Sequence, residues 1–184
     1  MRIRDSEKQQ RIKEATVRLI LREGIEGASV AKIAKEAGVS PATIYIYYEN
    51  KDEMLGEVFR EYAQRSYRAL LNGVRPEMGG AELIDALIRG YFAYSTENEE
   101  AFSFVEQCSR CPSLSEQVSE SDCCKEVFEL LHGFQRRGAI RMCSDTSLAA
   151  VLFAPVRFLA MQPDCGEDTL EELIAMLQRL LADA

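Results

Sequence analysis

Six cysteines and a single histidine set the first limit on what chemistry this 184-residue chain can do. Cys108 and Cys111 stand in "CSRC", the spacing of zinc knuckles and thiol redox motifs, because two intervening residues let both sulfurs converge. Arg110 lies between them as a cation able to lower a thiol pKa, and Pro112 is expected to end the helix that carries them. Cys123 and Cys124 follow, but adjacent residues do not easily join one tetrahedral site. The one imidazole, His132, is not at zinc-finger spacing from them, so no metal ligand set is assigned and no cofactor is expected. Three uses of Cys108 and Cys111 stay open: small apolar packing residues, a redox or electrophile-sensing pair, and metal ligands.

Other catalytic constellations are not found. The chain has no Gly-rich phosphate loop, no G-x-S-x-G and no metal-binding His pair, so it is not read as an enzyme. Its carboxylates sit in runs such as "ENEE", which reads as a solvated face rather than an acid–base pair. A binding chemistry is easier to write. Glu106 lies in "FSFVEQC" among aromatics, and a carboxylate with ring faces can receive a lipophilic cation. The candidate lining residues are Tyr91, Tyr94, Phe102 and Phe128, with Phe104, Phe134 and Phe158 as further candidates. Aromatics at helical spacing serve equally well as core.

A third chemistry lies near the N-terminus. From Ser40 to Tyr48 there is no acid. Thr43 offers a hydroxyl to a phosphate or base and a methyl to thymine, and Pro41 and Ala42 offer apolar contact to thymine methyls. Tyr45 and Tyr47 are two apart on a helix and point to different sides, so at least one faces outward and can donate to a phosphate oxygen. Lys51 adds a charge at the start of the next helix, whose N-terminus favours a phosphate. Ile44 and Tyr48 are read as core.

The elements that position these groups are helices. Apolar residues repeat at three and four, and few runs alternate as a strand would, so the chain is expected to be all-α. The first helix is expected from about Ser6 to Glu23, with Ile12, Ala15, Leu19 and Ile20 on one stripe and Gly24 as its stop. Ser29 can cap a second helix, "VAKIAKEA", which Gly38 ends. Ser40 can cap a third, with Pro41 at its first position. Asn50 caps a fourth that runs to about Leu71, with Glu53 completing a capping box. Further helices are expected near 81–96, 97–110, 114–137, 146–161 and 167–182, separated by Gly79-Gly80, Pro112, Gly138 and "QPDCG". The second helix, the turn "AGVS" and the third helix make a helix-turn-helix, with small Ala34 and Ala37 at the crossing and Val39 and Ile44 filling it.

Charge supports the same division. Residues 1–51 carry ten Lys/Arg against seven Asp/Glu, and residues 52–184 carry 12 against 23. A mildly basic head on an acidic body places any polyanion at the head, although the whole chain has a net charge of −8. The N-terminus lacks the apolar run of a secretory signal and no stretch is long enough to span a bilayer, so a cytoplasmic protein without membrane partners is expected.

The stretch "RIKEATVRLILREGIEGASVAKIAKEAGVSPATIYIYYENKDEML", Arg11 to Leu55, resembles the DNA-binding head of the TetR family of bacterial transcriptional regulators. The densest matches are "IAKEAGVS", "TIYIYY" and "NKDEML". The resemblance implies an all-α chain with a helix-turn-helix domain over 1–51 and an effector-binding and dimerisation domain over 52–184. It also implies double-stranded operator DNA as partner, a small-molecule effector, and a homodimer through the last two helices. By position, Ser29, Lys32, Ser40, Pro41, Ala42, Thr43, Tyr45, Tyr47 and Lys51 would face DNA. Ile20 and Tyr48 stand where the family often has Phe, and Ser29 where Thr is usual. The function implied is a sequence-specific transcriptional regulator, a repressor released by its effector. The alternatives are a repressor that senses redox state through Cys108 and Cys111, and an architectural DNA-binding protein that recruits a partner without a small ligand.

Overall fold

The computed structural model describes residues 2–119, 122–162 and 165–182. The side chain of Cys123 and residues 163–164 of the expected "QPDCG" break lie outside the described residues. Among the described residues the named elements are all helices: α1 Arg2–Gly27, α2 Val30–Ala37, α3 Pro41–Tyr47, α4 Lys51–Leu71, α5 Gly80–Glu97, α6 Glu99–Ser109, α7 Pro112–Ser119, α8 Asp122–Arg136, α9 Asp145–Ala160 and α10 Glu167–Leu181. None of them is long and apolar enough to cross a membrane. One isolated antiparallel bridge pairs Ile140 with Ala182.

The chain divides into two compact units, residues 1–63 with 99–121, and residues 64–98 with 122–184. In the first, α1 packs against α2 and α6, and α2 against α3. Its core is the stripe read from the sequence, with Ile12, Ala15 and Ile20 fully buried, closed by Ile33, Ile44, Met54 and Val58. Phe104 of α6 sits in the same core, edge-on to Phe59 at 6.5 Å and to Tyr62 at 5.4 Å. Thr16 is buried among these side chains, and its hydroxyl donates to the Ile12 carbonyl 2.8 Å away, which satisfies it within its own helix. In the second unit α5 packs on α9 and α10, and α9 on α10. Leu83, Leu87, Ile88, Leu148, Leu152, Val156 and Ile174 form its centre. Arg89 of α5 reaches Asp85 on its own helix and Glu167 and Glu171 on α10.

Three boundaries differ from the sequence reading, the first being the start of α1 at Arg2 rather than about Ser6. The first helix does leave helical geometry at Gly24 (φ 77°, ψ 170°), but a further helical turn follows to Gly27. The single helix expected over 114–137 is two, α7 and α8, and α7 starts at Pro112, where the ring fits the first helical position.

Candidate nucleic-acid interface

Two short helices and their caps build the site. Ser29 has extended backbone geometry, and its hydroxyl accepts the Lys32 N–H at 3.3 Å, which starts α2. α2 ends at Gly38 in the left-handed region (φ 65°), where any other residue is strained. The Val39 N–H then returns to the Ala34 carbonyl at 2.9 Å and the Gly38 N–H to that of Lys35 at 3.2 Å, a Schellman closure. Ser40 caps α3 through the Thr43 N–H at 3.2 Å, and its hydroxyl also lies 2.9 Å from the Thr43 hydroxyl. Between the two helices Ala34, Ala37 and Ile44 are buried, so their apolar contact sets the crossing.

With Ile44 and Tyr48 inward, geometry assigns the rest of α3. Pro41, Ala42, Tyr45 and Ile46 are exposed, Thr43 and Tyr47 half-buried. Tyr45 is the tyrosine that faces out, at 55% exposure, while Tyr47 leans on Tyr48 with ring centroids 6.4 Å apart. Ile46 is exposed to 76%. The sequence reading passed over it, yet the signal was present: two residues on a helix differ by about 200°, so if Ile44 points in, Ile46 points out.

The charges around this face are tied to the turn at 24–27. The Lys32 ammonium binds the Glu23 carboxylate at 2.7 Å and the Gly27 carbonyl at 2.9 Å. Its hydrogen bond holds the Glu23 carboxyl below the usual carboxylate range. Glu36 is likewise lowered, first by its hydrogen bond to Arg22. Lys51 is half-buried and donates to the Ile25 carbonyl at 2.9 Å. At the start of α4 the Asn50 side chain accepts the Glu53 N–H at 2.9 Å, but the Glu53 carboxylate turns back to the N–H of Glu49, one residue earlier than a capping box requires.

The other candidate residues are placed as follows. Phe102 is buried and Glu106 half-buried in the first unit, whereas Tyr91 is buried and Tyr94 and Phe128 half-buried in the second. Tyr91 stands edge-on to Phe153 at 5.8 Å. Phe134 is buried beneath the Arg137 guanidinium, 3.9 Å above its ring, and Phe158 is exposed to 65%. The two thiols of "CSRC" differ sharply. Cys108 is buried and burial pushes its thiol up to about 12. Cys111 is half-exposed, and a 3.3 Å contact with the Ser113 hydroxyl holds its thiol below the ordinary value. Among the described residues no group of three or more His, Cys, Asp or Glu could hold a metal ion.

Comparison with known proteins gives this geometry its name. Residues 12–58 match the family of bacterial regulatory proteins called the tetR family. The HTH-type transcriptional regulator BetI of Vibrio parahaemolyticus is 31% identical over 134 residues, covering 66% of this chain and 67% of that one. The nicotine-responsive transcriptional repressor HdnoR of Paenarthrobacter nicotinovorans is 36% identical over 70 residues, covering 38% of this chain and 36% of that one. The crystal structure of a TetR family transcription regulator from Marinobacter aquaeolei superposes with a TM-score of 0.86 at 26% identity, covering 100% of both chains. The helix-turn-helix, the acid-free third helix and these matches together show that this chain belongs to the TetR family and is a DNA-binding transcriptional regulator.

Proposed function

We propose that the protein is a homodimeric repressor that places one α3 in the major groove of each half of a near-palindromic operator and is released by a small molecule bound within residues 52–184. The observation that carries this reading is the outward face of α3. Pro41, Ala42, Tyr45 and Ile46 form an uncharged surface, with the Ser40 and Thr43 hydroxyls beside it and no acid between Ser40 and Tyr48. Ser29, Lys32 and Lys51 then serve the phosphates, and Tyr47 follows Tyr45 at the rim. The division of labour is residues 1–51 for DNA and 52–184 for effector and dimer contacts. Repression is favoured because HdnoR, similar over the 70 residues noted, is a repressor by name. Tyr91, Tyr94 and Phe128 are proposed for the effector site in the second unit, with Phe102 and Glu106 as candidates in the first. Effector action requires that the ligand bind the released state better than the DNA-competent one.

Selection of binding sites from random duplex DNA at fixed near-physiological salt tests the reading. A palindromic consensus with half-sites about one helical turn apart is expected. Weak, salt-sensitive binding with no preferred sequence contradicts it.

A further inference from the structure

Ile46 has no folding reason to be where it is. It is the most exposed of the large hydrophobic side chains among the described residues, at 76%, on a helix whose neighbouring Ile44 is buried to 99%. A solvent-facing aliphatic side chain contributes nothing to the core of the first unit. Ala42 lies four residues earlier and is also exposed, so the two share one face of α3. Pro41 and Tyr45 flank them, and the whole face is without formal charge. Such a surface is poorly suited to phosphates, which call for cations or hydrogen-bond donors. It is well suited to the one apolar group that a base pair shows in the major groove, the C5-methyl of thymine. Its occupant is DNA, because the face lies on the second helix of a helix-turn-helix in a DNA-binding regulator.

We propose that Ile46 is a specificity-determining residue that, with Ala42 on the same face, reads thymine methyl groups in the operator. The assignment rests on α3 being the groove-entering helix. Tyr45, exposed beside this face, and the Ser40–Thr43 hydroxyl pair at the start of α3 position the helix, and the aliphatic pair discriminates. The operator is then expected to carry a thymine on one strand at a fixed step of each half-site, opposite Ile46.

The experiment removes the methyl and the side chain in turn. A selected operator is made with each thymine of a half-site replaced singly by deoxyuridine, which deletes only the 5-methyl. Affinities are measured at one salt concentration for the wild type, Ile46→Ala and Ile46→Val. Wild type is expected to lose about fourfold at one thymine, the scale of losing one buried methyl-sized group. Ile46→Ala is expected to bind thymine and uracil operators equally, with Ile46→Val between. Because the side chain is exposed, both variants should keep the wild-type circular dichroism and Tm. If the wild type is indifferent to every thymine-to-uracil change, or if Ile46→Ala keeps the full methyl effect, the assignment of Ile46 fails while the DNA reading stands. If selection returns no preferred sequence, both fail together.

Discussion

At the scale of single residues, the face proposed to meet DNA is held by a few polar contacts that can be altered one at a time. Lys32 is shared between Glu23 and the Gly27 carbonyl. Changing Glu23→Gln removes the ion pair and leaves the head one charge more positive. Affinity for any duplex should rise about two- to fivefold at low salt, and the gain should fade as salt is raised. A gain confined to one sequence would contradict this. Lys51→Ala should act in the opposite direction, weakening binding to all sequences about equally and lowering the salt slope by about 1. Its bond to the Ile25 carbonyl adds a second expectation, a small fall in Tm from the loosened 24–27 turn. The thiols offer an independent check of local environment. Cys111, with its lowered thiol, should be alkylated first in the native protein at pH 7, and its rate should fall as the pH is lowered because the thiolate is lost. Cys108, buried and with its thiol raised to about 12, should react only on unfolding. Equal labelling of both, read by mass spectrometry, would overturn this.

Elements show what could be read in advance and what could not. The caps of α2 and α3 were legible because each is a local rule: Ser29 and Ser40 accept N–H groups three residues on, and Gly38 supplies the left-handed turn. The same locality makes a clear prediction. Gly38→Ala forces a Cβ into that conformation and should cost about 1–2 kcal/mol. It should also weaken operator binding, since the turn sets the angle between α2 and α3. Unfolding in urea and binding to the selected operator measure the two effects. Ser40→Ala should cost about 1 kcal/mol by uncapping α3. Other features depended on tertiary contact and were not legible. Nothing local to Glu53 shows that its carboxylate bonds Glu49 instead of Asn50. Nothing near Lys51 shows that its partner is a carbonyl 26 residues earlier. Phe104, taken as a possible pocket residue, is core because α6 packs on α1 and brings it against Phe59 and Tyr62. Ile46 was the reverse case, a residue whose outward position followed from Ile44 by helix geometry alone.

At the scale of the whole molecule, the apolar surface of the second unit calls for a partner, and the proposed partner is a second copy. α9 exposes Phe158 at 65%, and Met161, which caps its C-terminal end, is exposed at 64%. α10 exposes Met176 at 64% and Leu180 at 49%, four apart on one face. These helices pack on each other, so the two apolar stripes belong to neighbouring elements. Four large hydrophobic side chains, three on two adjoining helices and one at the end of α9, exceed the scatter of single exposed residues that a monomer tolerates. The double variant Phe158→Glu with Leu180→Glu places like charges on both stripes. It should keep its helical signal, since neither side chain is in the core, and sediment as a monomer where the wild type sediments as a dimer. Its affinity for the full operator should then fall by about 100-fold or more, because the second half-site is no longer bound as a linked event. Its salt slope should fall to about half, because half of the phosphate contacts are gone. Its affinity for an isolated half-site should match that of the wild-type head, which separates loss of pairing from damage to α3. A wild-type protein that is already monomeric, or a double variant that remains dimeric and binds normally, would show that these stripes serve something other than self-association.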